Sequence, residues 1–144
     1  MISIGAFRDV DRADWQALFV GYNAFYDREL PPAAYGRAWA AFQAGDRMHG
    51  LGATLDGRLV GIAHFLMHAS TTSADVCYLQ DLFTDPATRG QGVARALIAA
   101  VTEAARAQNC SRVYWSTQET NTTARRLYDR VADNHGFILY RITL

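Results

Sequence analysis

Asp85-Pro86-Ala87-Thr88-Arg89-Gly90-Gln91-Gly92-Val93-Ala94 joins two regular stretches, and its reading decides the fold. Upstream, Val76-Cys77-Tyr78-Leu79-Gln80-Asp81-Leu82-Phe83-Thr84 is dense in branched and aromatic residues and predicts a strand. Downstream, Val93, Leu97 and Val101 recur every four residues with Ile98 beside them, which predicts a helix over 92–108. Two glycines at the start of that helix let the backbone approach a ligand closely. First-turn amides lack intrahelical partners and the helix dipole is positive there, so the junction can seat a pyrophosphate. Arg89 adds a fixed charge. A glycine-rich turn that only starts a helix shows the same short pattern. A dinucleotide fingerprint fits less well, because Arg95 stands where its third glycine belongs.

Working outward, 2–7 alternates weakly and predicts a first strand. Asp11 opens a helical pattern that puts Trp15, Leu18, Phe19, Tyr22 and Tyr26 on one face, and Pro31-Pro32 breaks it. An alanine-rich helix over 32–44 stops near Gly45. Strands over 48–55 and 59–68 flank Asp56-Gly57, the strongest short hairpin signal a sequence carries. After the 92–108 helix come a strand over 112–117, a helix over 122–132 and a closing strand over 137–143. The order β-α-α-β-β-β-α-β-α-β begins with antiparallel hairpins and later uses a crossover helix. It predicts an α/β chain with a mixed sheet, in one domain spanning 1–144.

Half of the 144 residues are hydrophobic and 12% are aromatic, enough for a core without staples. Fourteen basic residues balance fourteen acidic ones, and a phosphate-gripping nucleic-acid binder would carry a basic excess, so no nucleic-acid partner is expected. Every basic residue is arginine, which excludes a P-loop lysine and a Schiff-base lysine. The longest apolar run, 96–101, is far short of the ~18 residues of a membrane span. The N-terminal stretch lacks a signal-peptide pattern. Cys77 and Cys110 have no metal or CxxC spacing and read as buried, reduced thiols, so the expectation is a cytoplasmic protein without a membrane partner. His64 and His68, four apart on one strand, read as a packed or surface pair, since no third ligand is spaced to complete a metal site.

The strand 78–84, the Arg89-Gly90-Gln91-Gly92-Val93-Ala94 turn, Trp115-Ser116-Thr117 and then Asn121 with Ala124-Arg125-Arg126-Leu127-Tyr128-Asp129 together resemble the GCN5-related N-acetyltransferases (GNAT). The family's Arg/Gln-x-x-Gly-x-Gly/Ala signature is met by Arg89, Gly92 and Ala94. Asn121 and Tyr128 are seven residues apart, two helical turns, which matches the family's Asn-then-Tyr pair.

The resemblance implies a splayed central sheet and acetyl-coenzyme A as cosubstrate, with no metal. Amides of Arg89, Gly90, Gln91, Gly92, Val93, Ala94 and Arg95 would hold the pyrophosphate. The backbone of Leu82, Phe83 and Thr84 would pair with the pantetheine arm as with an added strand, because its amides need partners. Asn121 would bond the same arm with Ala124 nearby; an N-cap for the following helix is its other role. Tyr128 would be the general acid that protonates the departing thiolate, and a backbone amide near Leu82 would meet the oxyanion. A carboxylate or an ordered water would be the base. Relatives acting on polyamines read Leu-Glu-Asp where this chain has Leu79-Gln80-Asp81, and Gln80 cannot accept a proton. Asp81 remains as the candidate, although successive strand side chains face opposite ways. Glu119 is the other carboxylate in reach. Asp27 and Glu29 lie in the connection that borders the acceptor site in this family.

The expected activity is direct acetyl transfer to a primary amine of a small molecule (polyamine, amino acid or similar) or a peptide. A non-catalytic coenzyme A sensor of the same fold is the alternative, and the retained Tyr128 favours catalysis. An acetylating toxin acting on aminoacyl-tRNA would want a basic face, which the zero net charge does not supply. An exposed final strand would allow a homodimer.

Overall fold

Asp56 and Gly57 adopt φ of 51° and 81°, the left-handed backbone that a two-residue hairpin requires. In the computed structural model, which describes residues 1–144, they turn β2 (His49–Leu55) back into β3 (Arg58–His68). β1 (Ile2–Ala6) and β4 (Val76–Thr84) extend the sheet on either side, and β5 (Val113–Tyr114) closes it. The order is β1-β2-β3-β4-β5, antiparallel except for the parallel β4–β5 pair, so the sheet is mixed as its sequence pattern requires.

Two compact units make up the chain, Met1–Tyr114 and Trp115–Leu144. In the first, α1 (Arg12–Phe25) and α2 (Pro32–Ala44) lay their aromatic stripes on one sheet face. Trp15, Tyr35, Trp39, Leu59 and Ile62 form the buried cluster there, with Phe19 and Phe83 against it. The Arg8 backbone N–H bonds the Asp11 carboxylate (2.8 Å) and its guanidinium does the same, which fixes the entry to α1. That partner holds the Asp11 carboxyl below the usual carboxylate range. α3 (Val93–Ala107) covers β3 on its Gly61 side, with Val93, Leu97 and Val101 buried as their four-residue spacing predicts.

Register shifts between His64 and Phe65 in the β3–β4 ladder: His64 faces Asp81 and Phe65 faces Leu79, leaving Gln80 as a bulged residue. Side chains on either side of a bulge are re-aimed relative to plain alternation.

Two predicted strands differ. The segment expected over 112–117 is a strand only at Val113–Tyr114. The closing strand expected over 137–143 does not form, and Phe137, Leu139, Tyr140 and Ile142 are exposed. Apolar alternation supplies a face to bury; a strand also needs a neighbour for its backbone groups, and this segment has none in the monomer. The second unit therefore consists of α4 (Thr122–Val131) between segments without regular secondary structure.

Candidate active site

Gly90 and Gly92 adopt φ of 80° and 83°, and a Cβ at either would meet nothing within 4 Å. Backbone conformation demands glycine here, and the space around both is open. Gly92 is the N-cap of α3 and provides no side-chain cap. The first intrahelical bond runs from the Ala96 amide to the Gly92 carbonyl at 3.0 Å, so the Val93, Ala94 and Arg95 amides face outward at the positive end of the helix. The Arg89 amide instead closes the turn onto the Pro86 carbonyl at 3.4 Å, and its guanidinium is the exposed group. Asp85, the nearest acid, accepts from the Ala87 amide at 2.9 Å and pairs with Arg58 at 3.0 Å. Its charge is thus paired with Arg58.

β4 leads into this cradle. Its β5-side ladder ends at Cys77 and Tyr78, so from Leu79 to Thr84 that edge has no strand neighbour, while the other edge is bonded to β3. Leu82, Phe83 and Thr84 lie on this open edge. A cleft of about 510 Å³ separates α1 from the end of β4, lined by Leu18, Gly21, Phe83, Asp85 and Arg89 among others. A Cβ at Gly21 would come 3.2 Å from the Phe83 ring, so glycine lets α1 approach β4.

Asp81 sits at the centre of a polar network inside an aromatic shell. Its Oδ2 lies 2.8 Å from His64 Nδ1. His64 is 1% exposed and its Nε2 accepts a hydrogen bond from Trp15 Nε1–H at 2.9 Å. The Phe42 and Phe19 rings lie 4.5 and 4.8 Å from the imidazole. From α1, the Tyr22 phenol is pushed far up, by burial first and by the Asp81 charge second, so it keeps its proton. Burial likewise raises Tyr26, against the pull of Arg28. The Arg28 guanidinium stacks over both rings, 5.6 Å from the Tyr22 centroid and 5.3 Å from that of Tyr26.

In the second unit, Asn121 caps α4: its Oδ1 accepts from the Ala124 amide at 3.4 Å, and its Nδ2 donates to Thr117 Oγ1 at 3.3 Å. Tyr128 packs edge-on against Trp115 with ring centroids 5.3 Å apart. Arg125 donates to the Glu119 carbonyl at 2.9 Å.

In the first unit, Asp81 and Leu82–Thr84 lie on β4, and the 89–95 turn runs from β4 into the start of α3. His64, Trp15, Tyr22 and Arg28 were not singled out as site residues from sequence. His64 and His68 part company: His64 is buried on Asp81, whereas His68 bonds the Tyr114 hydroxyl at 2.6 Å. Asp27 adopts φ of 54° and is exposed; its neighbour Arg28 is the residue that engages the tyrosines.

Comparison with known proteins converges on one family. Residues 9–132 match the acetyltransferase (GNAT) family. The D-amino-acid N-acetyltransferase HPA3 of Saccharomyces cerevisiae is 31% identical over 144 residues, covering 97% of this chain and 89% of the relative. The fold is shared with AAC(6')-Iy in complex with a bisubstrate analogue (TM-score 0.88, 19% identity, 100% and 99% of the two chains). It is shared too with a ribosomal-protein-alanine N-acetyltransferase from Brucella melitensis biovar Abortus 2308 (TM-score 0.85, 22% identity, 100% of both chains). A signature turn with the matching backbone, an open strand edge beside it and a whole-length relative agree: the chain belongs to the GNAT family and is an N-acetyltransferase.

Proposed function

We propose that this N-acetyltransferase uses acetyl-coenzyme A to acetylate the amine of a small zwitterionic acceptor, an amino acid. The observation that carries the acceptor class is the charge pattern around Tyr22 and Tyr26: the Asp81 carboxylate and the Arg28 guanidinium both act on these two rings. An α-amino acid presents one cation and one anion a short distance apart, so Asp81 suits its ammonium and Arg28, which forms no ion pair with an acid of its own chain, suits its carboxylate. The D-amino-acid specificity named for the yeast relative supports the same class.

The chain's groups fit the donor. Outward amides at Val93–Arg95, the open space at Gly90 and Gly92 and the exposed Arg89 suit a pyrophosphate, and the free β4 edge suits an amide-bearing arm. Acetyl-coenzyme A, when bound, supplies a thioester carbonyl open to attack by an amine. Leu82, Phe83 and Thr84 would orient the arm, with Asn121 and Ala124 assisting. Asp81 would take a proton from the ammonium, which at neutral pH is the dominant form of an alkyl amine with pKa near ~10. A backbone amide near Leu82 would meet the carbonyl oxygen as charge grows, and Tyr128 would give its hydroxyl proton to the departing sulfur.

We take 1–144 as one catalytic domain, supported by a family match that runs through both units. Free thiols at Cys77 and Cys110 favour a cytoplasmic setting, and no helix is long and apolar enough to cross a membrane. The exposed apolar run from Phe137 to Leu144 favours a homodimer.

The test is thiol release from acetyl-coenzyme A across D- and L-amino acids, amino-acid amides, polyamines, aminoglycosides and histone-like peptides, with products identified by mass gain. Amino acids should be turned over best. Arg28→Gln should raise KM for them about 10–100-fold, the worth of a charged hydrogen bond, while leaving the corresponding amides unaffected. Equal loss with acids and amides would remove Arg28 from carboxylate recognition.

A further inference from the structure

We propose that Trp15 and His64 act as a tautomer lock that positions the Asp81 carboxylate for the incoming ammonium; this rests on the reading of Asp81 as proton acceptor. An indole nitrogen can only donate. Since Trp15 Nε1–H points at His64 Nε2 from 2.9 Å, Nε2 must offer its lone pair. The one ring proton then sits on Nδ1, where it donates to Asp81 Oδ2 at 2.8 Å. An imidazolium would turn a second N–H against the Trp15 donor, inside a shell of Phe7, Phe19 and Phe42 where His64 is only 1% exposed. His64 and Asp81 therefore meet as neutral donor and anion, although their distance is that of an ion pair.

This has a chemical consequence. The Asp81 side chain is 12% exposed and its carboxylate is held by a neutral donor, His64 N–H. That donor leaves lone pairs to spare on an ionised carboxylate. Its charge is not cancelled from behind, so an ammonium arriving from the exposed side meets a full anion in fixed orientation. The proton passes from the ammonium nitrogen to a carboxylate oxygen and then to solvent. The Gln80 bulge sets the register that faces Asp81 with His64. His64 is thus a positioning residue, acting only through Asp81.

The two bonds of His64 can be separated by substitution. His64→Asn keeps a donor at the Nδ1 position and loses the acceptor for Trp15; His64→Gln keeps an acceptor at the Nε2 position and loses the donor to Asp81. Loss of a partner that orients a reactive group costs about 10–100-fold. His64→Gln should lower kcat by that factor with KM for acetyl-coenzyme A unchanged, and His64→Asn should recover most of the loss. A merely structural histidine would make both variants lose stability and leave kcat per folded molecule alike, which overturns the inference. Imidazole ¹H–¹⁵N spectra of the wild type should show a proton on Nδ1 and a bare Nε2 at pH 7; a protonated Nε2 overturns it independently of any assay. Asp81→Asn separates the two levels of the argument. If it is inactive while His64→Gln is unimpaired, the lock fails alone; if it retains full kcat, the proton-acceptor reading fails and takes the lock with it.

Discussion

Gly61 of β3 lies so close to Val93 of α3 that a Cβ built on it would fall 2.7 Å from Val93 Cγ1 and 3.0 Å from Leu97 Cδ1. The helix whose first turn forms the cradle is therefore seated directly on the sheet backbone. Gly61→Ala should cost about 1–3 kcal/mol by overpacking, read as a shift in denaturant midpoint. It should also raise KM for acetyl-coenzyme A to the extent that the clash is relieved by shifting the N-terminal turn of α3 rather than by rotating the Val93 and Leu97 side chains. An unchanged midpoint would mean that α3 is held more loosely than this contact implies.

Cofactor binding should separate into charge and backbone. Arg89 is exposed, so Arg89→Ala should weaken acetyl-coenzyme A binding more than it slows chemistry at saturation. Gly92→Ala forces a Cβ onto a φ of 83° and should cost stability and cofactor affinity together. Thermal shift with and without ligand distinguishes them: ligand at about 100 times Kd stabilises the wild type by about 2.7 kcal/mol. A full ligand shift in both variants would move the pyrophosphate elsewhere.

What could be read from sequence was what short-range chemistry encodes. Asp56-Gly57 dictates a hairpin, the Trp15–Phe19–Tyr22 stripe dictates a buried helix face, and Gly90-x-Gly92 dictates an uncapped helix start. The Asp81 network was not legible, because it depends on a bulge, and a bulge belongs to a strand pair. Plain alternation along β4 says nothing about Gln80 being skipped or His64 coming opposite Asp81. Trp15 and His64 are 49 positions apart with no motif joining them. The 137–143 segment failed for the opposite reason: its pattern is strand-like, and pattern does not supply a neighbour.

Cys77 links stability to alkaline pH. Burial first and Cys110 second push its thiol from an ordinary value of 9.0 up to about 11. The folded chain thus holds this proton more tightly than the unfolded chain, so the contribution is complete below pH 9 and is lost as pH rises towards about 11. Denaturant titrations across that window should show wild-type stability falling more steeply than that of Cys77→Ala, even though the variant starts lower for want of the buried sulfur. Parallel curves would assign the alkaline loss to other groups, the half-buried phenols of Tyr22 and Tyr26 first.

Tyr128 offers a clean test of the general acid, because its ring and its hydroxyl can be varied separately. The ring packs on Trp115 at 5.3 Å and an interplanar angle of 70°, a contact that phenylalanine reproduces. Tyr128→Phe keeps that ring contact, so its rate is to be read per folded molecule with acetyl-coenzyme A saturating. Its kcat should fall about 100-fold or more, the usual worth of a positioned proton donor. The loss should shrink with a thioester whose thiol has a lower pKa, since a better leaving group needs less help. A kcat equal to wild type would mean that the thiolate departs unassisted; a loss indifferent to the leaving group would assign the hydroxyl to orienting substrate.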